Sequence, residues 1–113
     1  MVNVTLTIDI SGCITFLNCT GHSYANTTSG NAVCAAITIL CRTAARLLYL
    51  DPTITLSGGA EYEGSLSFEI VSKPDYKTDW IKGITDYLIL GFSDLKAEYP
   101  KEISIQIIKK NNT

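Results

Sequence analysis

The sequence predicts an α+β fold: a two-layer α/β sandwich in the order β-β-α-β-β-α-β, a mostly antiparallel sheet carrying two helices. Three observations predict it. Short stretches alternate apolar and polar residues, as in strands with one buried face. Two longer stretches repeat their apolar residues every three or four positions, as in amphipathic helices. Glycine, proline and asparagine collect between these stretches, where the chain must turn. The chain has 113 residues, with 46% apolar and 18% charged, enough to pack a core and too apolar for disorder. It reads as a single domain over 1–113, with no repeat or linker.

The elements follow in order. Val2, Val4, Leu6, Ile8 and Ile10 alternate with Asn3, Thr5, Thr7 and Asp9, which predicts a strand. Ser11-Gly12 turns the chain, and Ile14, Phe16 and Asn18 alternate with Thr15, Leu17 and Cys19, completing a hairpin. Thr20 to Gly30 is polar and aperiodic, a loop of functional length. Asn31 is the predicted N-cap of the first helix, with Val33, Ile37, Leu40, Ala44 and Leu47 as its apolar stripe. That helix should stop by Asp51-Pro52, since a residue before proline avoids helical geometry. Ile54 and Leu56 begin a strand followed by a Ser57-Gly58-Gly59 turn, Tyr62 continues that strand, and Ser65 to Val71 alternates again. Lys73-Pro74-Asp75 breaks the chain. The second helix shows Ile81, Ile84, Leu88, Phe92, Leu95 and Tyr99 on one face. Gly83 and Gly91 weaken it by about 1 kcal/mol each relative to alanine, and Gly91 offers room for a close neighbour. Pro100 ends it, and Ile103, Ile105 and Ile107 form the last strand. A single helical layer leaves one polar sheet face or an edge that a dimer could cover.

Composition narrows the function. A net charge of −2 and a short Lys109-Lys110 tail argue against direct nucleic-acid binding. The apolar run from Ala32 to Cys41 is interrupted by Thr38 and ended by Arg42, short of the ~20 residues a membrane span needs. No Lys or Arg precedes Arg42, so a secretory leader is not expected. Four cysteines could form two disulfides in a secreted chain. However, Cys34 and Cys41 share a predicted helix and are separated by ~10 Å, too far to bridge. The expected compartment is the cytoplasm, with reduced thiols, and the Asn-x-Thr matches at Asn3, Asn18 and Asn26 are there read as chance.

The chemistry concentrates between His22 and Cys34. With Asn31 as N-cap, Cys34 falls in the first helical turn, near backbone N–H groups without helical partners. Those groups and the helix dipole favour an anion, and can bring a thiol from ~8.5 into a range of roughly 3.5–7.5. The thiolate is a nucleophile, and His22, the only histidine, could take its proton and return it to a leaving amine. Backbone N–H groups around Ala35 would support an oxyanion. The bland alternatives are a buried small cysteine and a solvated histidine. Cys13, Cys19, His22 and Cys34 are also a Cys3His set by composition, but without the short Cys-x2–4-Cys spacing of structural zinc. No metal or other cofactor is expected.

Gly21-His22-Ser23, a loop, and then Gly30-Asn31-Ala32-Val33-Cys34-Ala35-Ala36-Ile37-Thr38 resemble the signature of the Prp family of ribosomal-processing cysteine proteases. The family pattern is Gly-His, a loop, then Gly-x-Asp-ϕ-ϕ-Cys-Ala-(Ala/Gly)-ϕ-Ser, with ϕ apolar. Chain length, the preceding hairpin, Gly58-Gly59 and the long second helix correspond as well, so the resemblance covers nearly the whole chain. It implies a cysteine endopeptidase that removes a short N-terminal extension from a large-subunit ribosomal protein, working as a homodimer with a loop over the site. By position it assigns Cys34 as nucleophile, His22 as general base, and Gly21 and Gly30 as glycines framing the loop. The family aspartate falls on Asn31, which can cap a helix but brings no negative charge. The family serine falls on Thr38, which keeps a hydroxyl. The alternative implied by Asn31 is a weak or inactive dimeric module that binds a peptide or ribosomal protein.

Overall fold

A computed structural model describes residues 1–21, 28–59 and 65–110, with backbone alone at 28–31. The strands and helices are β1 (Val2–Ile8), β2 (Ile14–Thr20), α1 (Thr28–Tyr49), β3 (Thr55–Gly59), β4 (Ser65–Ser72), α2 (Thr78–Glu98) and β5 (Ile103–Lys109). A short 3-10 turn, Asp75–Lys77, leads into α2. This is the order the sequence predicts. The sheet runs β3-β4-β2-β1-β5. Its pairs are antiparallel apart from β1 with β5. β2 and β3 therefore point the same way, as do β4 and β5. Such strands need crossovers rather than hairpins, and α1 and α2 supply them.

Sheet register decides which face is buried. Leu6 pairs with Leu17 and Leu17 with Phe68; Val4 pairs with Cys19 and Cys19 with Leu66. These residues join Ile81, Leu88 and Phe92 of α2 and Val33, Ile37 and Leu48 of α1 in one core. The opposite face carries Thr5, Asn18 and Ser67 in one row and Thr7, Phe16 and Glu69 in the next. It is the largely polar face that a single helical layer leaves uncovered.

Several expectations are corrected. A register shift between Thr7 and Ile8 moves the end of β1 off its alternation, so Ile10 is 70% exposed and Asp9 is buried. The same shift puts Leu17 and Cys19, not Phe16 and Asn18, in register with the core. Asp9 then organises the hairpin: its Oδ1 accepts from the N–H groups of Ser11 at 2.9 Å and Cys13 at 3.0 Å. Ser57, Gly58 and Gly59 are strand, paired with Glu69, Phe68 and Ser67, not a turn. Gly58 has φ +126°, and a Cβ there would meet the Ser67 carbonyl oxygen at 2.3 Å; glycine lets the strand continue through that close approach. Tyr62 lies outside the described residues.

Helix α1 begins at Thr28, three residues before the predicted cap. Its inner stripe is Val33, Ile37, Cys41, Ala44 and Leu48, while Leu47 is 45% exposed. Burying a side chain of valine or leucine size stabilises by about 1.5–3 kcal/mol. Several such residues outweigh the ~1 kcal/mol cost of Gly30 in a helix, and adding a turn to an existing helix is inexpensive. Over Ala32–Tyr49 the helix is long and apolar enough to suit a membrane span, unlike the shorter run read from sequence. Here its inner stripe is part of the core, and Arg42 and Arg46 are exposed. On α2, Ile81, Ile84, Leu88 and Phe92 are buried as predicted. A Cβ at Gly91 would lie 3.1 and 3.2 Å from the two Leu40 methyls, so this glycine does admit a close neighbour, α1.

Candidate active site

The site is built where β2 ends and α1 begins. Cys19 on β2 and Cys41 on α1 touch, with Sγ atoms 3.1 Å apart. This contact pins the helix to the strand. The strand runs toward one pole of the molecule and the helix runs away from it. Seven residues back along α1, at 1.5 Å each, is ~10 Å and leads to Cys34. Two residues on from Cys19, at ~3.3 Å each, is ~7 Å and leads to Gly21. The end of β2 is therefore level with Cys34.

Gly21 has φ +91°, and a Cβ there would lie 2.6 Å from the Met1 carbonyl oxygen. Only glycine turns the chain here without strain and collision. Cys34 is half-buried and packs against the core. His22 lies outside the described residues. So does the side chain of Asn31, whose backbone, like that of Gly30, is helical.

The helix start corrects three expectations. Gly30 belongs to α1, not to the loop. Asn31 is inside the helix, not its N-cap. Cys34 lies in the second turn, where the field of a helix end has weakened. The Ala35 N–H, one residue further, belongs to the helical ladder, so the N–H groups of α1 without an intrahelical partner are those of its first turn, over residues 28–31. No acidic residue stands in that turn. Thr38 does reach the site's backbone: its hydroxyl donates to the Cys34 carbonyl at 2.8 Å, the backbone bond common for a threonine inside a helix.

The Cys3His set is not assembled. Cys13 and Cys19 face the core at opposite ends of β2, six residues or ~20 Å apart. Cys13 instead donates its thiol to the Thr78 carbonyl at 3.2 Å, and burial pushes that thiol up from its ordinary pKa. Among the described residues no cluster of three histidine, cysteine or acidic side chains is placed to hold a metal.

An apolar groove of about 540 Å³ opens between the helices beside the site. Ala35, Ala36, Ile39 and Leu40 line it from α1, and Gly91, Asp94, Leu95 and Glu98 from α2. Helical spacing hinted at Gly91, but the groove depends on how two distant segments cross, and no local pattern predicts it.

The comparisons agree with this architecture. The family model for cysteine protease Prp matches residues 1–104. Among curated proteins, none matches the sequence significantly. Solved structures are similar in fold. SMU.848 from Streptococcus mutans superposes with a TM-score of 0.76 at 21% identity, over 97% of this chain and 99% of that one. The ribosomal processing protease Prp from S. aureus, in complex with a substrate peptide, gives 0.77 at 16% identity, over 95% and 99%. Its complex with a covalently linked product peptide gives 0.76 at 17% identity over the same shares. With a family model spanning almost all of the sequence and a glycine turn level with a half-buried helical cysteine, the chain belongs to the cysteine protease Prp family.

Proposed function

We propose that this protein is a cysteine endopeptidase that removes a short N-terminal extension from a large-subunit ribosomal protein, with Cys34 as nucleophile and His22 as general base. The observation that carries the reading is the alignment of Cys34 with the glycine turn that leads directly to His22. Family membership supplies the reaction class. The S. aureus relative, seen with a substrate peptide and with a covalently linked product peptide, accords with covalent catalysis on peptides.

In this reading His22 takes the Cys34 proton, and the sulfur attacks the scissile carbonyl carbon. The tetrahedral oxyanion collapses, the C–N bond breaks, and the imidazolium gives its proton to the leaving amine. Water, deprotonated by the same imidazole, then cleaves the thioester and restores the thiol. With Ala35 committed to the helix, oxyanion support falls to the first turn of α1. The groove lined by Ala35, Ala36 and Ile39 is suited to an apolar side chain of an extended substrate. The protein acts in the cytoplasm as a homodimer and needs no cofactor, nucleic acid or membrane.

The test is cleavage of a peptide carrying the encoded N-terminus of the host's ribosomal protein, followed by mass spectrometry. Cys34→Ala and His22→Ala are each expected to lower kcat/KM by roughly 10⁴-fold or more. Cleavage that survives Cys34→Ala would remove the nucleophile from this scheme. Asn31, standing where the family has an acid, favours a second reading, a binding module without turnover. Tight peptide binding with no cleavage by the unaltered protein would select it.

A further inference from the structure

Two buried thiols face each other across the interface that aligns the site. Cys19 projects from β2 and Cys41 from α1, with 6% and 1% of their surfaces exposed and their sulfurs 3.1 Å apart. Both are reduced. A disulfide needs a separation of about 2.05 Å, so the sulfurs must approach by about 1 Å. They already sit in adjoining positions of a packed core. Cys13 lies just before the far end of β2 with its thiol on Thr78, and Cys34 is two helical turns from Cys41.

We propose that Cys19 and Cys41 are a disulfide-forming pair, oxidised by a peroxide, whose closure ties α1 to β2. The bond would close a ring of chain from 19 to 41 that contains both His22 and Cys34, and would make covalent the contact that sets their register. The chemistry balances with one peroxide. The Cys19 sulfur, the more exposed of the two, attacks one peroxide oxygen. The O–O bond breaks, leaving a sulfenic acid on Cys19 and one water, which carries the thiol proton. The Cys41 sulfur then attacks the Cys19 sulfur, forming S–S and expelling the hydroxyl, which leaves as a second water with the Cys41 proton. The two thiols lose two electrons and the peroxide gains them. The order of attack agrees with the environment of Cys41, whose thiol is held up by its hydrogen bond with Cys19 and by burial and is thus the poorer first nucleophile.

The experiment uses the full chain with Cys34→Ala, which removes a competing thiol. The protein is treated with one equivalent of hydrogen peroxide. Free thiols are blocked with iodoacetamide under denaturing conditions, then the protein is reduced and labelled with a heavy form of the reagent. Fragment masses are expected to show heavy label on Cys19 and Cys41 and light label on Cys13. The thermal midpoint is expected to rise on oxidation and to fall back on reduction. In the Cys19→Ser version, neither the heavy label on Cys41 nor the rise is expected. Light label on all three cysteines, heavy label on Cys13, or over-oxidation of Cys19 with Cys41 still light would each overturn the proposal. Peptide cleavage plays no part in these readouts, so the outcome is independent of the reading given above.

Discussion

Gly21 shows how much a single residue position can decide. Its φ of +91° and the carbonyl of Met1 beneath it exclude a side chain, and the next residue is His22. Gly21→Ala is expected to destabilise the fold by about 1–3 kcal/mol, seen as a lower midpoint in thermal or denaturant unfolding. Peptide cleavage should fall further than the lost stability explains, because the turn aims the chain beyond β2. An unchanged midpoint would mean that the strand end re-forms around a Cβ. Cys34 and His22, the proposed nucleophile and base, are read from residue type and spacing, and Gly21 from the motif beside them. The role of Asn31 was misread. Cap rules describe the best local start for a helix, and packing further along extended this one back to Thr28.

Among the elements, α2 depends on one polar contact that the sequence does not reveal. Thr85 is fully buried on its inner face. Its hydroxyl donates to the Ile81 carbonyl at 2.8 Å and accepts from the Ile14 N–H at 2.8 Å. The second bond ties α2 to the first residue of β2. Thr85→Val preserves shape but leaves the buried Ile14 N–H without its acceptor, and should cost about 1–3 kcal/mol. Equilibrium unfolding measures this, and a loss below a few tenths of a kcal/mol would show that another acceptor replaces the hydroxyl. A threonine at a helical position reads as neutral in sequence. Only the arrival of β2 shows why this one is inside. The apolar stripes of both helices were readable in outline. The substitution of Leu48 for Leu47 at the end of the α1 stripe follows from which face of the helix meets the sheet.

At the scale of the molecule, the two poles are built differently. One gathers Gly21, the start of α1 and the end of α2. The other is tied by charge: Lys73 lies 3.5 Å from Asp9, and Lys77 lies 2.9 Å from Asp51. These pairs join the β1–β2 hairpin and the end of α1 to the chain that enters α2. The Asp51 carboxyl is held at about 2, below its ordinary 3.8, by the Thr53 hydroxyl, by Lys77 and by the Thr53 N–H. An acid with a lowered folded pKa binds fewer protons when folded than when unfolded. Its contribution is therefore complete above about pH 4 and is lost as pH falls toward about 2. Asp51→Asn should unfold more easily than the unaltered protein near neutrality, with the gap closing through that acid range. A gap independent of pH in unfolding titrations would assign the effect to hydrogen bonding alone.

The sequence by itself determined the element order, the outline of the apolar faces of both helices, the family and the pair of residues for the proposed chemistry. Each of these is written in local periodicity or in the spacing of a motif, and needs no knowledge of distant partners. The tertiary structure alone decided where α1 starts, which β2 face is buried, that Cys13 and Cys19 stand apart, and that Cys19 meets Cys41. Those outcomes depend on how segments far apart in the chain share one core. A register shift of one residue exchanges the faces of a strand, and packing energy can carry a helix through residues that local propensity would exclude.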